Sequence, residues 1–244
     1  MNQIDVFFAG AVDGKLIQLY KNVKEIEERH NTQCSWLLSV GHLGVWPSVD
    51  RMPGAAKKKL KESTGDFSTL LLNKWMAPRQ TLFVAGAQDS HKWMKEYTRR
   101  TQSLEILPGV TWLRNGNSTT IGDTENTLKV LGLGKLYSPK VYNNIFTSNR
   151  LRYYKRNEVM RACATGKNHI FLSHAAPDGV SLQGRTSNSN GLADIIAATR
   201  PQLIVHGGLN ISEVYKYGGI PSISLAPGDI RVVRFTEAEF EIIV

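Results

Sequence analysis

No stretch of this 244-residue chain approaches the roughly 18 consecutive apolar residues that a membrane-spanning helix needs. The N-terminus, MNQIDVFF, has no basic lead and carries Asp5 where a secretion signal would want an apolar core. The expectation from both absences is a cytoplasmic protein without a membrane partner. Cysteine is scarce: Cys34 and Cys163 are the two, and neither belongs to a CxxC pair. That excludes a zinc knuckle and a thioredoxin-type motif and predicts two buried thiols. There is no G-x-S-x-G elbow, no phosphate-binding P-loop and no G-x-G-x-x-G after a strand; the GLG at 132–134 reads as a turn. Ser173 and His174 are adjacent, and neighbours on a strand point to opposite faces, so they make a poor nucleophile–base pair. No internal repeat or long low-complexity tract is present. Acidic residues are also in deficit, 21 Asp and Glu against 30 Lys and Arg, a net charge of +9. This excess favours an acidic partner, nucleic acid or protein, or a phosphorylated ligand.

What is present is an ordinary globular composition, 41% hydrophobic and 21% charged, of a length suited to one α/β domain spanning residues 1–244. Short β-rich runs recur at 5–10 (DVFFAG), 36–40 (WLLSV), 81–85 (TLFVA), 170–173 (IFLS) and 203–205 (LIV). Helical spacing lies between several of them: Leu16, Leu19, Val23 and Ile26 predict a helix to about His30, another covers about 90–100, and Leu192, Ile195 and Ile196 mark a third. The stretch 110–135 and the C-terminus from 222 read instead as antiparallel strands joined by Asn-Gly, Gly-Asp and Pro-Gly turns. This mix predicts two sheets flanked by helices, a β-sandwich in four α/β/β/α layers, better than one doubly wound sheet. Residues 51–65 (RMPGAAKKKLKESTG) predict a basic surface loop or insertion.

In α/β sheets ligands gather at the C-terminal strand ends. Here those ends read GAVDG (10–14), VGHLG (40–44), AGAQD (85–89), LSHAAP (172–177) and VHGGLN (205–210). In this order they resemble the five signature blocks of calcineurin-like metallophosphoesterases, G-D-x-H-G, G-D, G-N-H-[DE], a lone His and G-H-x-H. The pieces KWMAPRQTLFVAG (74–86) and FLSHAAP (171–177) are most similar to the branch containing lariat-debranching enzymes. The resemblance implies the four-layer fold and a site that, in the family, holds two metals clamping a phosphate. It also implies extensive loss. The first Asp ligand falls on Ala11 and the His ligand on Asp13; the bridging Asp falls on His42. The Asn ligand falls on Ala87 and the assisting His on Gln88, an amide with no useful pKa for acid catalysis. His174 is retained, while the last two histidines fall on Gly208 and Asn210. The expectation is no catalytic residue at the degenerate positions and no cofactor. At most one divalent ion, manganese, zinc or iron, would be held by donors from Asp13, His42, His174 and Asn210. His206 reads as a satisfied core histidine.

Two basic stretches are candidate phosphate or nucleic-acid contacts: Lys57, Lys58 and Lys59, and the run 149–161 (NRLRYYKRNEVMR) with Arg150, Arg152, Lys155 and Arg156 around two tyrosines. Trp75, Trp93, Trp112, Tyr153 and Tyr154 either stack on bases or belong to the core. Three readings stay open at this point: a pseudoenzyme serving as a binding or assembly platform, a phosphoesterase with a single-metal or metal-free site, and a nucleic-acid-binding module.

Overall fold

Alternation along the first strand sets the layers. In β1 (Ile4–Ala9) every residue is buried, yet Ile4, Val6 and Phe8 join one core cluster while Phe7 and Ala9 join another. Successive side chains of a strand point to opposite faces, so a strand buried on both must lie between a second sheet and a helical layer. The computed structural model describes residues 3–61, 63–123, 126–145, 150–237 and 239–244.

The N-terminal half continues with α1 (Leu16–His30), β2 (Trp36–Ser39), α2 (Gly54–Leu60), α3 (Phe67–Leu72), β3 (Thr81–Phe83), α4 (His91–Thr101), β4 (Glu105–Leu107) and β5 (Val110–Trp112). There follow β6 (Asn117–Gly122), β7 (Thr127–Leu133), α5 (Pro139–Tyr142), α6 (Arg156–Cys163) and β8 (Ile170–Ser173). The rest is β9 (Ser181–Leu182), β10 (Arg185–Thr186), α7 (Leu192–Thr199), β11 (Leu203–His206), β12 (Glu213–Tyr217), β13 (Ile220–Ser224), β14 (Ile230–Phe235) and β15 (Phe240–Ile242).

The first sheet runs β15-β14-β1-β2-β3-β5-β4 and the second β12-β13-β11-β8-β7-β6. Each has a parallel centre: β1, β2, β3 and β5 in one, β13, β11, β8 and β7 in the other. The inner faces meet in a core of Val6, Phe8, Leu38 and Val84 from one sheet and Val130, Ile170, Leu172 and Val205 from the other. Outside the first sheet, Leu16, Leu19 and Val23 of α1, Phe67 of α3 and Met94 of α4 cover Phe7, Leu37 and Phe83. Outside the second, Val159 and Ala162 of α6 and Leu192, Ile195 and Ile196 of α7 cover Leu131, Phe171 and Ile204. These are the four layers expected from the pattern. Full burial of each large apolar side chain contributes about 1.5–3 kcal/mol, so the inter-sheet layer joins the halves firmly.

Several expectations are corrected. The stretch from 110 is not antiparallel throughout: β5 lies parallel to β3 in the first sheet, and only β6 and β7 form a hairpin in the second. Residues 51–65 do not form a bare loop either. Residues 49–51 make a 3₁₀ turn, and α2 follows because Ala56, fully buried, packs with Trp46 and Met52 and holds the lysine-rich turn to the body. Glu62 of that segment lies outside the described residues. Cys34 is buried as expected, but Cys163 is only partly so; both are free. No described helix is long and apolar enough to cross a membrane.

Candidate functional site: a cleft at the strand ends

The parallel centres of both sheets end on the same side of the sandwich, and the loops leaving those ends line one cavity of about 280 Å³. The sheets close on each other there. Lys135 N–H donates to Ala85 O at 2.7 Å, and a Cβ on Gly134 would sit 2.3 Å from that same oxygen. Glycine permits the approach that brings the strand ends of β7 and β3 together.

All eight residues that the family resemblance assigns to the site, Ala11, Asp13, His42, Ala87, Gln88, His174, Gly208 and Asn210, line this cavity. The loop after β1 is tied to the loop after β2: Val12 and Asp13 N–H both donate to His42 O, at 2.7 and 3.1 Å. The loop after β3 is tied in turn by Asp89, whose carboxylate accepts N–H bonds from Gly44 (2.8 Å), Val45 (3.0 Å) and Gly86 (2.7 Å). Burial pushes the Asp89 carboxyl up, and these three bonds oppose it.

His42 and His174 pack edge to face, their ring centroids 4.5 Å apart. Gln88 N–H donates to His42 Nδ1 at 3.0 Å, and His174 Nδ1 donates to Val40 O at 2.8 Å. Burial is the first cause that lowers both imidazoles to about 4. For His42 the Asp13 carboxylate opposes the shift and Lys59 adds to it; for His174 the neighbouring His42 adds to it. Both rings are therefore neutral at pH 7. Gly86 makes room for them, since a Cβ there would lie 2.3 Å from His42 Nδ1 and 2.9 Å from His174 Cε1.

Lys59, expected on a basic loop, lies on α2. From α2 its ammonium reaches into the cleft and pairs with Asp13 Oδ2 at 2.6 Å. Asp13 Oδ1 and Gln88 Oε1 are buried without a hydrogen-bond partner among the described residues. No local pattern signals the Lys59 contact, because its partner is 46 positions away.

This donor set does not fit the family's two-metal centre. Ala11, Ala87 and Gly208 offer no side-chain donor, and one Asp13 oxygen is held by an ammonium. Among the described residues no group of three or more His, Cys, Asp or Glu side chains is arranged to hold a metal ion. His206 is a core histidine: its Nδ1 donates to Gly207 O at 2.8 Å, and its Nε2 accepts from Tyr215 OH at 2.5 Å.

The basic candidates separate. Lys57 is half-buried and Lys58 exposed on α2. Arg150, Arg152 and Tyr153 line a second, larger cavity of about 910 Å³, which meets the cleft at Ala87. Lys155 and Arg156 lie instead at the start of α6, where Lys155 N–H donates to Glu158 Oε2 at 2.8 Å. Asn149 lies outside the described residues. Trp112 and Tyr154 are buried core and Trp75 packs on Tyr20, leaving Trp93 and Tyr153 at the larger cavity.

No protein-family model matches the chain, and no curated protein is significantly similar to it. Solved structures do match over nearly its whole length. The protein TT1561 of Thermus thermophilus is 17% identical with a TM-score of 0.59, the match covering 99% of this chain and 98% of that one. A Staphylococcus aureus protein assigned as a 5′-nucleotidase is 14% identical with a TM-score of 0.57, over 99% of this chain and 53% of that one. GAP50, the anchor in the inner membrane complex of Plasmodium, is 12% identical with a TM-score of 0.56, over 99% and 84%. The chain has the calcineurin-like metallophosphoesterase fold.

Proposed function

We propose that this chain is a degenerate metallophosphoesterase, similar in its sequence blocks to the debranching-enzyme branch, that binds rather than hydrolyses. Its partner is acidic and carries phosphate. One observation carries the reading: Lys59 supplies an ammonium to Asp13 inside a cleft whose remaining family positions include Ala11, Ala87 and Gly208. A two-metal hydrolase needs carboxylate, amide and imidazole donors converging on the ions. Here three donors are gone and a fourth position is neutralised by the chain's own cation. The net charge of +9 supports an acidic partner. A protein of similar shape serves as an anchor in Plasmodium, which agrees with use of this fold as an attachment surface.

The test is hydrolysis of phosphate mono- and diesters with Mn²⁺, Mg²⁺, Zn²⁺ or Fe²⁺ added, alongside elemental analysis of dialysed and metal-loaded protein. The expected outcome is no turnover above buffer and no stoichiometric metal. Turnover abolished by His174→Ala would overturn the reading. So would a tightly held ion lost in His42→Ala, which would restore a single-metal phosphoesterase.

A further inference from the structure

The donor and acceptor atoms of the cleft decide what it can hold. His42 Nδ1 accepts the Gln88 N–H, so the proton of the neutral ring sits on Nε2. To ligate an ion through Nε2, the ring would have to move that proton to Nδ1, against the Gln88 N–H. His174 is the reverse case. Its Nδ1 donates to Val40 O, so its Nε2 carries a lone pair, with no partner among the described residues. Asp13 Oδ1 and Gln88 Oε1 are two further acceptors, buried and without a partner among the described residues.

The idle side-chain atoms are therefore one carboxylate oxygen, one amide oxygen and one imidazole nitrogen, all acceptors, beside the His42 Nε2–H. A divalent metal is poorly served by one carboxylate, one free imidazole lone pair and amide oxygens. An anion is poorly served too, because the one ammonium in the cleft is already paired with Asp13. A primary ammonium suits the set, since it brings three N–H donors, a single charge and no lone pair. The chain already supplies one: Lys59 Nζ donates to Asp13 Oδ2 at 2.6 Å. The lysine side chain is 50% exposed and that of Asp13 14%, so water competes for the lysine end of the pair. A half-exposed pair of this kind holds weakly, and an ammonium from outside can take its place. The cavity of about 280 Å³ has room for a small one, and Ala11, Leu136, Leu225 and Pro227 give a short alkyl chain an apolar wall. With a net charge of +9 the protein repels polycations, which favours a monoamine over a polyamine.

We propose that the cleft is a site for a small primary alkylammonium, with Lys59 as the resident ammonium that the incoming amine displaces. Asp13, Gln88 Oε1 and His174 Nε2 accept its N–H groups. The inference goes beyond the acidic partner proposed above, and it rests on that reading only in taking the cleft to hold no metal.

Nuclear magnetic resonance of the imidazole signals of the full chain, titrated with ethylamine hydrochloride at pH 7 and constant ionic strength, tests it. Saturable shifts are expected for His42 and His174 and not for His30 or His169. Lys59→Met, which keeps the stem and removes the charge, is expected to bind about tenfold more tightly than wild type. Adding Asp13→Asn to that variant should weaken binding at least about tenfold. Tetramethylammonium, a cation without N–H donors, and ethanol, a donor without charge, should each bind at least about tenfold more weakly than ethylammonium. Absence of saturable shifts in wild type and Lys59→Met overturns the proposal. So do equal affinities of the two proteins, or tetramethylammonium bound as tightly as ethylammonium. Elemental analysis separates the two readings. A stoichiometric ion in the wild type would count against the metal-free cleft, whereas an ion held by Lys59→Met alone would overturn the ammonium assignment and leave the wild-type reading standing.

Discussion

Three imidazoles in this protein, those of His91, His174 and His206, are buried and that of His42 is largely so, and desolvation lowers each of the four, to about 4 for three and about 3 for His91. In the unfolded chain each would titrate near 6.5. Between about pH 6.5 and pH 4 the unfolded state therefore binds more protons than the folded one, and stability falls as pH falls through that window. The buried Asp89 carboxyl, pushed up by burial, works in the other direction, but it is one group against four. We expect a loss of about 1–2 kcal/mol per imidazole between pH 7 and pH 5. Urea unfolding at the two pH values measures the total. The His206→Gln variant, lacking one of the four, should show a smaller difference, and identical midpoints for wild type at pH 7 and pH 5 would refute the account.

At the scale of elements, the outer helix α6 is joined to the second sheet by an ion pair as well as by packing. Lys135, just past β7, keeps only 7% of its side chain exposed and pairs with Glu158 of α6 at 2.8 Å. Desolvation lowers the lysine, and Glu158 opposes that shift. Removing the carboxylate strands a buried ammonium, which costs far more than a surface pair is worth. It also removes the acceptor for Lys155 N–H at the helix start. Glu158→Ala is expected to cost about 3 kcal/mol, lowering the melting temperature by roughly 6–12 °C for a chain of this size. Glu158→Gln should cost less, because the amide oxygen can still accept one of the two bonds. A melting temperature within a degree of wild type for Glu158→Ala would show that the pair is not a tie between the layers.

On the scale of the whole molecule, the question is whether the two sheets melt together. The five tryptophans, Trp36, Trp46, Trp75, Trp93 and Trp112, all belong to the first-sheet side, on β2, β5, α4 and the segments between them. Their fluorescence reports that half, while far-ultraviolet circular dichroism reports both. The inner core draws side chains from the two sheets in nearly equal measure, so neither half keeps its buried face without the other. Coincident urea transitions by the two probes are the expected result. A fluorescence transition that precedes the dichroism would mean that the sheets separate before they unfold.

Much of this architecture was legible in the order of residues. The strands β1, β2, β3, β8 and β11 announce themselves as short β-rich runs ending in glycine or histidine, and α1 by apolar spacing, because both signals are local. That Ala11, Ala87 and Gly208 carry no side-chain donor is a covalent fact that no folding changes, and the order of the strand-end blocks was enough to bring them to notice. Contacts between distant segments were not legible. Lys59 read as one lysine among several on a surface loop, and only the packing of Ala56 against Trp46 and Met52 turns it toward Asp13. β5 crossed into the first sheet because pairing with β3 was available there, although its sequence suits either sheet. The larger cavity is built from 50–53, 87–93 and 150–153, three segments that share no pattern along the chain. The sequence by itself determined which strands form and which strand-end positions carry no side-chain donor, since both depend on residue identity and short-range geometry. The tertiary structure decided where the remaining charges meet, because Coulomb interactions and packing act across space whatever the separation along the chain.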